Sequence, residues 1–493
     1  MLILSFNCPK YLLIPLILFS FVSIPYDYIL AEQLLLDEFT VENNPFSFLI
    51  EGPNNFLYPS QQLKVDRTQL ELSGNYKDIF RERKENGDFN YLNQLGIGIG
   101  FIKPFEYNSR KSIVSVRYTG NTLNGDFPSA KVTQFRMPDG TYMIGFATTF
   151  GEHDVGVSYK NQSASLSTDF SLEPFPKSKK EDENTYLFDP LENFFGTEFS
   201  VTGTRKKSLF IAEDNFPIIK NHSIDLRIII NSESHAYAVQ HTNNKDEIKY
   251  VDVPLNIRCL KGEINYYYKL NDKWRFKFIF SDLKEWVDLE ITPRDADQTE
   301  ITSFGVTKST INAFNIGGGA YCRINNKTEA FLKINRSLSS EKVPINLSTP
   351  VLGKKIIIPI VHRLIGTGSL NIPIYHLQLG YAKDISEKFK LNLLLGYLFS
   401  GSTVNFDGEA QLAVGLENYP IDEELKIGWG LIHLNSRIKY KISENVYVSY
   451  QIYANVPYYE LTRVGYEPPP EDKGWRIRGG GGLEHTISIC FSF

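Results

Sequence analysis

The chain has 493 residues, with 52 Lys and Arg against 57 Asp and Glu and a net charge of −5. That near balance excludes a dedicated nucleic-acid binder, which carries a basic surface. A hydrophobic content of 42% and a mean hydropathy of −0.23 exclude a bundle of membrane helices. They do not exclude a β-barrel, whose strands meet lipid only at every second residue.

The N-terminus carries the one long apolar run. Lys10 precedes Tyr11–Pro25, and the small residue Ala31 precedes Glu32. A basic residue, an apolar core and a small residue in this order predict a secretory signal peptide over residues 1–31. Pro15, Pro25 and the pair Tyr26-Asp27 suit a cleaved signal better than a permanent anchor. Cys8 lies ahead of the apolar core, so it is not placed like a lipoprotein cysteine. No later stretch approaches the ~20 apolar residues of a transmembrane helix. Residues 32–65, with Pro45, Pro53 and Pro59 and little periodicity, read as an irregular periplasmic extension or a small plug.

From residue 66 onward the dominant period is two, the signature of strands. Trp274, Phe276, Phe278 and Phe280 oppose Arg275 and Lys277. Phe389, Leu391, Leu393, Leu395, Tyr397 and Phe399 oppose Lys388, Lys390 and Asn392. Leu434, Ile438, Tyr440 and Ile442 oppose His433, Arg437, Lys439 and Lys441. A soluble sandwich also alternates, with its polar face outward. A membrane barrel inverts that polarity.

Hairpins recur around short polar turns at Tyr268–Trp274, Tyr321–Thr328, Tyr381–Phe389 and Tyr440–Tyr447. They alternate with longer polar connections near 338–355, 401–424 and 461–474. Short turns at one rim and long loops at the other are the asymmetry of outer-membrane barrels, and aromatics beside the turns suit the membrane interface. The expected strands pair as 66–80 with 91–102, 111–120 with 139–150, 155–170 with 196–212 and 223–242 with 251–270. The rest pair as 273–292 with 300–323, 328–339 with 365–383, 387–400 with 426–441 and 446–460 with 476–493. The fold expected is all-β: an antiparallel transmembrane barrel of about 16 strands, within a range of about 12 to 18, over residues 66–493.

The last strand places Leu483, Ile487, Ile489, Phe491 and Phe493 on one face, interrupted by His485. This ending resembles bacterial outer-membrane β-barrel proteins as a class, whose final strand alternates and closes on an aromatic residue. The resemblance implies an outer-membrane location and recognition by the barrel-assembly machinery, with Ile487, Ile489, Phe491 and Phe493 as the assembly signal. It names no substrate.

Ten basic residues fall opposite the apolar faces: Lys269, Arg275, Lys277, Arg323, Lys333, Lys388, Lys390, Arg437, Lys439 and Lys441. In a hollow barrel they suggest a positive ring near the turn-side mouth that favours anions. Solvated charges beside short turns are the plainer reading. Cys259, Cys322 and Cys490 are far apart and indicate neither a disulfide framework nor a zinc site. Gly151-Glu-His-Asp154 sits in an expected tight turn, which Gly and Asp explain as well as a metal would. The glycine runs 317–319 and 479–482 lack a phosphate-binding pattern and suit bending or close packing of strands. No nucleophile elbow, His-Glu-x-x-His or paired-cysteine motif occurs, so no catalytic residue, metal or cofactor is assigned.

The function expected is a passive pore for small solutes in contact with outer-membrane lipid. A structural or adhesive surface barrel without an open pore, a barrel hydrolase and a secreted soluble β-sandwich are the alternatives.

Overall fold

The computed structural model describes residues 58–83, 89–127, 132–171, 198–242, 248–294, 305–348, 363–411, 418–463 and 482–493. The expected signal peptide and most of the expected extension therefore lie outside the described residues.

A short helix, α1 (Pro59–Gln62), precedes sixteen strands. The first eight are β1 (Gln69–Arg83), β2 (Phe89–Tyr107), β3 (Arg110–Phe127), β4 (Val132–Phe150), β5 (His153–Ser171), β6 (Glu198–Ile219), β7 (His222–Thr242) and β8 (Ile248–Lys269). The second eight are β9 (Trp274–Arg294), β10 (Gly305–Asn325), β11 (Thr328–Ser348), β12 (Arg363–Asp384), β13 (Phe389–Gln411), β14 (Asn418–Ser443), β15 (Val446–Arg463) and β16 (Gly482–Ser492). Each strand pairs antiparallel with its chain neighbours, and β1 pairs with β16 from Gln69↔Ser492 to Asp78↔Leu483. The result is one closed antiparallel barrel, so the two packed sheets of a sandwich do not form.

The short turns owe their shape to local chemistry. Asn108 and Ser109 adopt positive φ of 51° and 59° between β2 and β3, the two-residue hairpin whose twist matches its flanking strands. Gly151 takes φ of 65° between β4 and β5. Asn271 Oδ1 accepts the Lys273 and Trp274 N–H groups at 2.8 and 2.9 Å, and Asn325 Oδ1 accepts the Lys327 N–H at 2.8 Å. These side chains satisfy turn donors that the ladders leave over. The Phe493 N–H donates to the Thr68 carbonyl at 2.9 Å and completes the seam.

Several strands run further than hydropathy alone suggests. Leu338–Ser348 continues β11, Gly401–Gln411 continues β13 and Asn418–Glu424 opens β14, where the alternation predicts loops. Thr403 pairs with Lys426 and Asn405 with Glu424 in this extension. Backbone hydrogen bonds alone carry a ladder beyond the zone where one face must be apolar. Ladder pairs are missing beside Pro138, Pro254 and Pro373, since proline has no N–H to give.

The wall is inside out relative to a soluble protein. On β2, Leu95, Ile97, Ile99 and Phe101 point outward, with Ile97 73% exposed. On β11, Leu332, Ile334 and Leu338 point outward while Lys333, Asn335 and Glu341 are buried inside. Outward aromatics near the turns include Tyr107, Phe150, Trp274 and Tyr440. His485, the interruption on the outer face of β16, is hydrogen-bonded to the Tyr450 hydroxyl at 2.7 Å, and its ring stacks on that tyrosine.

Candidate functional site

The strand alternation directs every second side chain into the barrel, so the lumen is the candidate site. Three regions line it.

The first is a seat for the segment preceding β1. Tyr58 and Leu63 pack inside against Ile102, Ile113, Met143, Ala147, Leu209, Ile211 and Ile229. The Ser60 N–H donates to Glu213 Oε1 at 2.6 Å. Glycine at 156 permits this approach: a Cβ there would lie 2.9 Å from the Ser60 nitrogen and 2.7 Å from Glu213 Oε1. The Tyr58 ring lies 4.3 Å from the Arg227 guanidinium carbon, a cation–π contact. The part of the expected extension that can be described, residues 58–65, therefore packs against the inner face of the wall.

The second is a charged belt on β6–β8. Arg205 Nε and Lys207 Nζ meet Glu233 at 2.5 and 3.1 Å, and His235 Nε2 lies 2.7 Å from the same carboxylate. Arg227 meets Asp225 at 2.6 Å and Glu263 at 3.0 Å, and Lys261 meets Glu263 at 2.9 Å. All are buried. Charges removed from water persist only when paired in this way.

The third is apolar. Leu370, Ile372, Ile374, Leu398 and Leu431 cluster on the inner faces of β12–β14. Tyr321, Phe331 and Ala382 form a smaller cluster nearer the turns, with the Phe331 ring lying over Gly380. The lumen is thus not uniformly polar.

The ten basic residues singled out from the sequence divide by position. Lys277 and Lys333 are deeply buried inside, and Lys277 Nζ stands 5.3 Å from the Tyr267 ring. Arg275 and Arg323 share Glu329, at 3.7 and 2.7 Å. Lys390 lies 3.6 Å from Asp384. Arg437 donates to Ser449 Oγ at 3.3 Å, and Lys439 Nζ sits 3.6 Å from the Tyr447 ring. Lys441 is exposed at the rim. Lys269 ends β8 and reaches Asp272 at 2.7 Å, which holds that turn carboxyl below its ordinary range. Lys388 lies in the exposed turn before β13 rather than on its wall, where its carbonyl accepts the Lys441 N–H at 2.8 Å.

Sequence alternation missed the inward acids Glu213, Asp225, Glu233 and Glu263, and the inward leucines and isoleucines of β12. Their partners lie on neighbouring strands, and a single-strand pattern carries no cross-strand information. The meeting of His376 with His433 was missed for the same reason: they approach inside the barrel at 3.0 Å, 57 residues apart in the chain. Cys259 and Cys490 are buried and Cys322 half-buried, and none of the three is in a disulfide. Gly151-Glu152 forms the turn into β5, where His153 Nδ1 lies 3.0 Å from Asp214. Among the described residues, no three His, Cys, Asp or Glu side chains converge as a metal centre.

No family model and no curated protein matches the chain. Solved structures do. The toluene transporter TodX of P. putida superposes with a TM-score of 0.42 at 10% identity, covering 90% of this chain and 94% of its own. The monoaromatic hydrocarbon channel CymD gives 0.37 at 12%, covering 90% and 93%. A FadL homologue of Pseudomonas aeruginosa gives 0.38 at 10%, covering 90% and 94%.

Proposed function

We propose that the chain is a bacterial outer-membrane barrel that acts as a passive channel for small solutes. One observation carries this reading: the closed wall turns leucine, isoleucine and phenylalanine outward and its charged residues inward. In water that outer belt would be an aggregation surface. In a bilayer it is the face that meets acyl chains, and closure leaves no strand edge unpaired. The lumen then offers the solute path, with the plug segment narrowing its turn-side, periplasmic end. Membrane fractionation with a heat-modifiability gel, followed by conductance in planar bilayers, tests the two parts in turn. A soluble protein would overturn the first, and a silent bilayer the second.

Lumenal selectivity follows from position. The paired belt on β6–β8 sets four Lys and Arg against three carboxylates and is close to balanced, whereas Arg437, Lys439 and Lys441 give the β14 sector of the turn-side mouth a positive edge. A modest anion preference is the expected consequence. The double variant Lys439→Glu, Lys441→Glu should shift the zero-current potential in a salt gradient towards cation selectivity. An unmoved potential would remove this sector from the conduction path.

Assembly rests on the final strand. Deleting Phe493 removes both its hydrogen bond to Thr68 and an outward aromatic ring that is 73% exposed. The proposed recognition by the assembly machinery predicts less folded barrel in the membrane fraction, read as loss of the heat-modifiable band. Wild-type yield after the deletion would remove Phe493 from the signal.

A further inference from the structure

We propose that His376 and His433 form a lumenal site for one divalent transition-metal ion of borderline softness, completed by the side-chain amide of Gln378 and by water. This inference is independent of conduction.

The two imidazoles come from β12 and β14, and both are buried inside the wall. Between them β13 contributes Gly396, where a Cβ would lie 1.8 Å from His433 Nε2, so glycine is what lets that ring lie flat across the strand. The two Nε2 atoms face each other at 3.0 Å. Imidazole nitrogens each about 2.0–2.1 Å from a metal, with roughly a right angle between them, stand about 3 Å apart. The pair therefore already has the spacing of two adjacent ligands. Without an ion, that contact needs a proton on one nitrogen and a lone pair on the other.

A second observation points to a ligand. Gln378 lies two residues from His376 along the same inner face and pairs across the strands with Gly396, beneath the His433 ring. Its amide is buried, and neither its oxygen nor its nitrogen has a hydrogen-bond partner among the described residues. The same holds for His433 Nδ1. Buried polar groups are normally satisfied, and a cluster left unsatisfied calls for an explanation such as an ion. Two imidazoles with one amide oxygen and water make an N,O donor set suited to Cu(II), Ni(II) or Zn(II) rather than to Mg or Ca. Lys333, the cross-strand neighbour of Gln378, puts a positive charge beside the site and weakens it.

The test is Cu(II) titration of the full chain in detergent, with electron paramagnetic resonance and glycine as a competing chelator. The expected result is one Cu(II) per barrel with coupling to two imidazole nitrogens. His376→Gln and His433→Gln should each lower affinity by more than ~10-fold, while Lys333→Gln should raise it. Copper bound to the remaining histidines persists in the double variant His376→Gln, His433→Gln and sets the background. A wild-type chain that binds no more copper than this background overturns the proposal. So does a folded single variant with wild-type affinity and spectrum. Should a variant not fold, the wild-type spectrum decides by its nitrogen coupling, and a spectrum without two imidazoles overturns the site.

Discussion

Ile334→Arg is expected to destabilise the barrel by ~2–4 kcal/mol, the cost of a lipid-facing Arg near the bilayer midplane. Ile334 is 56% exposed on the outer face of β11, amid Leu332 and Leu338. Its chain neighbour Lys333 points the other way and is only 2% exposed. One strand thus carries a charge that the lumen accommodates beside a position where lipid would not. Leu270→Arg is the control: Leu270 is equally apolar and exposed, but lies in the turn after β8. Near the interface the cost falls to about 0–1 kcal/mol. Urea unfolding of both variants in lipid vesicles, followed by tryptophan fluorescence, measures the difference. Equal effects would mean that the outer belt faces water, and the membrane reading would fall with it.

Tyr58→Ala should unseat the plug and raise conductance. Truncating a fully buried aromatic costs about 3–5 kcal/mol, and the Tyr58 ring holds its segment against both the apolar seat and Arg227. If about 3 kcal/mol of that falls on the seated state, the unseated fraction rises roughly 100-fold, at tenfold per 1.4 kcal/mol. Arg227 keeps Asp225 and Glu263 in the variant, so no charge is orphaned and the wall survives. Gly156→Ala should act in the same direction by another route, because its Cβ would press on the Ser60 nitrogen and on Glu213. Single-channel recording reads both. Unchanged open probability in the two variants would show that the segment is not the barrier.

The barrel was legible because its cause is local. Outward residues must be apolar at every second position wherever a strand crosses lipid, so Val446–Val456 and Phe389–Phe399 declare their faces without reference to any partner. Turn chemistry is local too, as at Asn271 and Asn325. The strand ends were less legible: Gly401–Gln411 alternates weakly because nothing apolar is required of it there, and its conformation comes from the ladder with β12 and β14. The lumen was legible only as a polarity. Alternation places Lys277 and Lys333 inside, but it does not place Glu233 beside Arg205, nor Glu263 beside Arg227 and Lys261.

By itself, then, the sequence pointed to an antiparallel barrel of about sixteen strands, to its short-turn rim and to the inward direction of Lys277 and Lys333, because a strand with oil on one face and water on the other alternates with a period of two. The tertiary structure alone decided which charges neutralise one another, that an apolar cluster lines part of the interior, that residues 58–65 turn back into the lumen, and that His376 meets His433. Those contacts depend on register across several strands, and register is a property of neighbours rather than of any one segment.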